Sequence, residues 1–130
     1  MAINPLKVLF VASEVEGLVK TGGLADVAKA LPQHLARAGH DVRIILPFYQ
    51  TLKRRDEARL LASRWLPTPQ GRDDISYRIY QLELDGICVY LLDCPHYFDR
   101  PQLYAENNQA YPDNGERFAF LAAAARSEEH

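Results

Sequence analysis

Residues 6–47 switch hydrophobic period twice, and this limits the fold more than any other feature of the chain. Residues 6–12 (LKVLFVA) form a near-continuous apolar run rich in β-formers, the pattern of a strand covered on both faces. Residues 24–38 then repeat at three- and four-residue spacing. Leu24, Val27, Leu31, Leu35 and Ala38 make one stripe, and Asp26, Lys29, Gln33 and Arg37 make the other. Pro32 falls inside this pattern and predicts a kink or one lost backbone bond, while Gly39 is placed to end the helix. Residues 42–46 (VRIIL) give a second β run before Pro47. Strand, amphipathic helix and strand in this order are a βαβ unit, with parallel strands joined by a right-handed crossover. The predicted class is α/β, opening like a doubly wound sheet, which binds ligands beyond the C-terminal ends of its strands.

The segment SEVEGLVKTGG (residues 13–23) occupies that location. Lys20 supplies a mobile cation with three donors. Gly22 and Gly23 let the backbone approach a ligand closely. The free N–H groups and positive dipole end of the helix point to the same place. Together these can hold a phosphate, although a Gly-Gly pair before a helix also serves as a plain entry turn. Two familiar phosphate loops do not fit. A Walker loop places its lysine after the glycines, and here it precedes them. A dinucleotide fingerprint needs G-x-G-x-x-G and an acidic residue ending the second strand, where this chain has Leu46-Pro47-Phe48. A nicotinamide-dependent oxidoreductase is therefore disfavoured. Asp26, in the first helical turn, either complements the helix dipole, orients Lys20 or accepts a ligand hydroxyl. Glu14, just past the first strand, has the same alternatives.

Farther along, residues 52–66 are mixed, with Leu60, Leu61, Trp65 and Leu66 on one further strand, and residues 68–74 read as a turn. Residues 76–84 and 87–93 flank Asp85-Gly86, a signal for a type I′ hairpin. Residues 95–111 read as a long loop, and long ordered loops tend to be functional. His96, Asp99, Arg100, Tyr104 and Asn114 are its candidates for contacts to a polyol. A last helix is predicted from Asp113, capped by that side chain with Glu116 completing a capping box. Phe118, Leu121, Ala122 and Ala125 form its expected buried face.

Net charge is −2 over 130 residues, which leaves no basic footprint for nucleic acid or an anionic membrane. The basic run Lys53-Arg54-Arg55 is followed at once by Asp56 and Glu57 and reads as a solvated segment. Cys88 and Cys94 match no zinc or redox spacing and are expected to be buried, reduced thiols. No apolar run reaches the ~18 residues of a membrane helix, and residues 1–5 lack the plan of a signal peptide. A soluble, cytoplasmic chain is the expectation. No Ser/His/Asp or Cys/His nucleophile arrangement and no metal cluster can be picked out.

The run KTGGLADV (residues 20–27), preceded by VLFVASE, resembles the N-terminal part of bacterial glycogen synthases and plant starch synthases. The likeness continues through ALPQHLARAGHDVRIILP, GICVYLLDCP, FDRPQLY and YPDNGERFAF, covering nearly the whole chain. It implies a retaining glycosyltransferase of the GT-B build, with two Rossmann domains and the donor bound between them. Such enzymes move glucose from ADP-glucose to the non-reducing end of an α-1,4-glucan without a catalytic metal or a cofactor. On this carry-over Lys20, Thr21 and the Gly22-Gly23 backbone hold the donor phosphate and the leaving diphosphate. Asp26 matches the motif's aspartate, Tyr104 matches a tyrosine near the donor, and Glu14 joins them as a substrate-binding group. The family pattern goes on to a histidine-bearing loop (H-x-H-D-W-H) and a C-terminal domain, neither of which is in this sequence. Residues 1–130 are thus expected to form an incomplete N-terminal Rossmann-like domain that does not turn over alone. The competing expectation is a non-catalytic module that binds glucan or phosphate.

Overall fold

The computed structural model describes residues 4–67 and 74–128. Its centre is the predicted βαβ unit: β1 (Lys7–Val11), α1 (Gly23–Arg37) and β2 (Asp41–Pro47). Three strands follow, β3 (Arg59–Pro67), β4 (Asp74–Leu84) and β5 (Ile87–Asp93), in a single sheet of order β1-β2-β5-β4-β3. β1, β2 and β5 run parallel, with Phe10 beside Ile44 and Ile44 beside Val89. β4 and β3 extend the sheet antiparallel. The turn predicted at residues 68–74 lies, apart from Asp74, outside the described residues.

β1 forms one edge of the sheet, and this corrects the expectation that it is covered on both faces. Its residues are only half-buried, and Val11 is 45% exposed. β2 and β5 hold the fully buried positions instead: Ile44, Ile45, Leu46, Val89, Leu91 and Leu92.

The face that α1 buries also differs from expectation. Ala25, Ala28 and Pro32 are buried, while Leu24, Val27 and Leu31 are 51%, 52% and 41% exposed. Small side chains on the inner face let the helix lie close to the sheet, so the bulkier stripe falls on its outer flank. α1 runs continuously past Pro32, whose ring sits on the buried face. It ends in a Schellman motif. Gly39 takes φ 100°, its N–H donates to Ala36 O at 3.0 Å, and the His40 N–H reaches Leu35 O at 3.2 Å.

After β5 the expected long loop contains two small elements. One is a single helical turn, α2 (Pro95–Phe98). The other is a two-stranded ribbon of β6 (Ala105–Glu106) and β7 (Gln109–Ala110). Asn107 and Asn108, at φ 52° and 63°, make its turn. Helix α3 (Asn114–Ser127) then packs on β1 and β2. Tyr77 of β4 meets Phe120 of α3 edge-on at 5.9 Å, while Leu84 of β4 lies against Gly17 of the loop that leads into α1. Leu84 is seven positions after Tyr77, an odd number, so by strand alternation they point to opposite faces. α1 and α3 therefore cover the two faces of one sheet, as in a doubly wound domain.

The buried face of α3 is Arg117, Phe120, Leu121, Ala124 and Ala125. Phe118 is half-buried and Ala122 exposed, which shifts the predicted stripe around the helix. Asp113 does sit at the N-cap, but its side chain makes no cap bond. Arg100 takes it instead, with Nη1 and Nη2 each 2.6 Å from a carboxylate oxygen. A bidentate charge-assisted pair outcompetes a single bond to a backbone N–H.

Of the thiols, Cys94 is buried and Cys88 half-buried, and neither is in a disulfide. Burial pushes the Cys94 thiol up to about 11. Arg54 is bound to Glu57 at 2.7 Å, and Arg55 lies over Phe48 at 4.1 Å.

The hairpin between β4 and β5 forms as predicted, with Asp85 at φ 48° and Gly86 at φ 83°. A Cβ at residue 86 would touch nothing within 4 Å, so an alanine there would meet backbone strain alone. Gly86→Ala is expected to lower unfolding stability by about 1 kcal/mol in urea titration. An unchanged midpoint would mean that the turn relaxes to another type.

Candidate functional site

The sharp structure of residues 12–22 starts with Val15 and Val19, two buried β-branched residues that exchange backbone hydrogen bonds of 3.0 and 2.9 Å across Gly17 at φ 95°. This small closed turn leaves Glu14 at its base, only 2% exposed. The Glu14 carboxylate accepts from four donors. Oε1 takes the N–H groups of Thr21 and Gly22, both at 3.0 Å. Oε2 takes the hydroxyls of Thr21 and Tyr104, both at 2.6 Å. Burial pushes the carboxyl up, but the bonds from Thr21, Tyr104 and Gly22 outweigh it and hold it below its ordinary range.

Tyr104 has one proton, and it lies toward Glu14. The Ser13 hydroxyl, 2.7 Å away, therefore donates to the Tyr104 oxygen. Burial and then the Glu14 contact push the Tyr104 phenol up to about 12, so it stays a neutral donor at physiological pH. Tyr49 completes this corner by donating to Ser13 O at 2.8 Å.

Lys20 lies outside this cluster, on the solvent side of the loop. Its Nζ is 2.8 Å from Asp26 in the first turn of α1, and both side chains are about half exposed at 48%. Asp26 holds the ammonium above its ordinary range, and Lys20 in return lowers the Asp26 carboxyl. Of the roles open to Asp26 from sequence, orienting Lys20 is the one this contact makes visible.

The other candidates brace the loop that carries Tyr104. Asn114 donates from Nδ2 to Tyr104 O at 2.9 Å. Arg100 holds Asp113, and Asp99 accepts from Gln50 at 2.7 Å. His96 is exposed and sits edge-on to Tyr97, at 4.6 Å between rings. Arg117 was not singled out from sequence, and the structure makes it central. It is completely buried, and it donates to Tyr97 O at 2.6 Å and to both Leu103 O and Asn114 Oδ1 at 2.8 Å. Its guanidinium carbon also lies within 5.3 Å of the ring centres of Phe98, Tyr111 and Phe118. One signal was available: Arg117 stands one helical turn from Phe120 and Leu121, in an otherwise apolar stripe.

Between the residue 17–21 loop, Thr51, Lys53 and residues 101–105 lies an open cleft of about 460 Å³, into which Lys20, Thr21 and Tyr104 face. It stands beyond the C-terminal ends of β1 and β2, where doubly wound sheets bind ligands. A larger hollow of about 550 Å³ sits at the other end of the sheet, beside Lys7, Asp41, Arg43 and Tyr90, where the strands begin. Topology favours the smaller one. It offers an ammonium, hydroxyls and backbone at a helix start, a set that suits a phosphate or a sugar. Among the described residues no group of three or more His, Cys, Asp or Glu side chains could hold a metal ion. No helix there is long and apolar enough to cross a membrane.

The parallel strands β1, β2 and β5 lie between α1 and α3, and a lysine-bearing loop opens α1 beyond their C-terminal ends. Residues 7–127 match the family model of the starch synthase catalytic domain, and the chain belongs to that family. It is 83% identical over 125 residues to the glycogen synthase of Aeromonas hydrophila, covering 96% of this chain and 26% of that protein. With the glycogen synthase of Photobacterium profundum it shares 59% over 121 residues, 93% of this chain and 24% of that one. The catalytic domain of Starch Synthase IV from Arabidopsis thaliana, bound to ADP and acarbose, superposes with a TM-score of 0.80 at 29% identity. That match covers 94% of this chain and 24% of the plant one. The chain thus spans about a quarter of the length of these relatives, and its fold is part of a Rossmann-like domain of the GT-B build.

The Arg100–Asp113 pair gives a pH-dependent prediction. Arg100 lowers the Asp113 carboxyl from its ordinary 3.8, so the unfolded chain binds the proton more readily. The stability it contributes is present above 3.8 and is lost as pH falls through the lower folded value. Asp113→Asn should lower the melting temperature at about pH 6 and lose less of it than the parent between about pH 5 and 2.5. Parallel acid limbs in thermal unfolding would exclude this contribution.

Proposed function

We propose that this chain is one wall of the donor cleft in a cytoplasmic, ADP-glucose-dependent glucan synthase. The full protein would transfer glucose to the non-reducing end of an α-1,4-glucan with retention of configuration, using no metal or cofactor. The observation that carries this reading is the placement of Lys20, exposed at the mouth of the cleft and held by Asp26 at the start of α1. In such a transfer the bond between the glucose C1 and the diphosphate oxygen breaks, and its electron pair stays on that oxygen. The acceptor hydroxyl forms the new glycosidic bond, and its proton passes to the departing diphosphate. Negative charge grows on the departing diphosphate, so a cation fixed in advance lowers the barrier. Asp26 keeps Lys20 charged and limits its rotamers, which reduces the reorganisation needed during reaction.

The wall offers the Lys20 cation at the outer rim of the loop that opens α1. Adenine recognition and sugar activation are assigned in this proposal to the remainder of a full-length synthase. Isothermal titration of the full-length protein with ADP, ADP-glucose and a maltooligosaccharide should give binding of all three. Glucan binding without ADP binding would favour the non-catalytic module instead. Lys20→Ala in the full-length enzyme should remove about 2–4 kcal/mol of transition-state stabilisation, or about 30- to 900-fold in kcat/KM. An unchanged kcat/KM would leave Lys20 an ordinary surface charge.

A further inference from the structure

The Thr21 and Gly22 N–H groups lie at the entry to α1, at the N-cap and the residue before it, and both already bind Glu14. The same carboxylate binds the hydroxyl of Tyr104, ninety residues away in sequence. One buried side chain at the end of β1 therefore ties together the lysine loop, the start of α1 and the loop that forms the far side of the cleft. With two donors on each oxygen and 2% exposure, Glu14 has no lone pair directed to the cleft. We propose that Glu14 is a positioning residue, an internal hydrogen-bond acceptor that occupies the donors at the entry to α1 and so fixes Lys20 and Tyr104 across the cleft. The diphosphate is then met by Lys20 and the outer rim of the loop, and not by the Thr21 and Gly22 N–H groups. This inference rests on the glucan-synthase reading for its activity readout.

The chemistry of the four bonds separates positioning from charge. Oε1 only accepts from N–H groups, and Oε2 only accepts from hydroxyls. A glutamine keeps the first oxygen. Its amide nitrogen can donate to both hydroxyls, because Thr21 can rotate and the Ser13–Tyr104 bond can reverse so that Tyr104 donates to Ser13. An aspartate keeps the charge but is one methylene too short to reach both loops. If position is what matters, glutamine substitutes and aspartate does not. If the negative charge or a proton transfer matters, the order inverts.

The test is made in the full-length synthase with Glu14→Gln, Glu14→Asp and Glu14→Ala. Glu14→Gln should keep kcat/KM for ADP-glucose within about five-fold, while Asp and Ala each lose about 100-fold, the scale of an ångström-level misplacement. Amide exchange of the peptide spanning residues 14–23, read by mass spectrometry, gives a measure that needs no activity. Protection should persist in the parent and Glu14→Gln, and fall in Asp and Ala. Loss of activity in Gln, retention in Asp, or equal protection in all four proteins overturns the proposal. A parent that does not use ADP-glucose would overturn the functional reading, and the exchange result would still decide the role of Glu14.

Discussion

A carboxylate buried without an ion pair among the described residues is costly in an apolar interior, where an isolated ion loses several kcal/mol of hydration. Glu14 is tolerated because four bonds replace its water, two of them from backbone N–H groups at the entry to α1. The need runs both ways. The helix start needs an acceptor, the carboxylate needs donors, and each fixes the other's position. The closed Val15–Val19 turn sets Glu14 at the required place, and the small inner face of α1 brings the helix start down to meet it. Lys20 inherits its location from this bond set, since it immediately precedes Thr21 in the same loop.

Arg117 plays the complementary part on the other side of the cleft. It is a cation buried without a carboxylate among the described residues, satisfied by two carbonyls, one side-chain amide and three aromatic faces. Its carbonyl partners, Tyr97 and Leu103, bracket the segment leading to Tyr104. Two buried charges of opposite sign thus hold the two lips of the cleft, each through the backbone of a loop. Tyr104 joins them, because its hydroxyl answers to Glu14 while its carbonyl answers to Asn114, itself a partner of Arg117. The Nη2 of Arg117 has no hydrogen-bond partner among the described residues, so the aromatic faces carry part of its solvation.

The elements were legible where local chemistry decides them. The βαβ period, the Gly39 stop and the Asp85-Gly86 turn each rest on backbone geometry that few residue types satisfy, and all three form. Orientation was less legible. The apolar stripe of α1 faces outward because packing distance to the sheet, rather than hydrophobicity alone, selects alanines for the inner face. The Asp113 cap failed for a similar reason: Arg100 lies in a loop whose path no local pattern gives. At the site, KTGGLADV was visible as a motif, and the Lys20–Asp26 pair follows from their six-residue spacing across a helix start. The Glu14–Tyr104 bond was not, since it joins segments that only the tertiary fold brings together.

This distribution has a physical consequence for any anion entering the cleft. A loop that waits for phosphate to order its N–H groups must lose conformational entropy during binding. Here the ordering is already done by an internal carboxylate, and the Lys20 ammonium is held in a set position by Asp26. The presence of Glu14 also places a negative charge behind the lysine, with Asp26 in contact with it and Glu16 nearby. A ligand must therefore bring enough negative charge to compete with Asp26 for the ammonium. A diphosphate does so, and it spreads that charge over several oxygens. A neutral sugar does not. On the glucan-synthase reading proposed above, this favours an anion whose charge rises during reaction over one whose charge is constant, which is the differential that transition-state stabilisation requires.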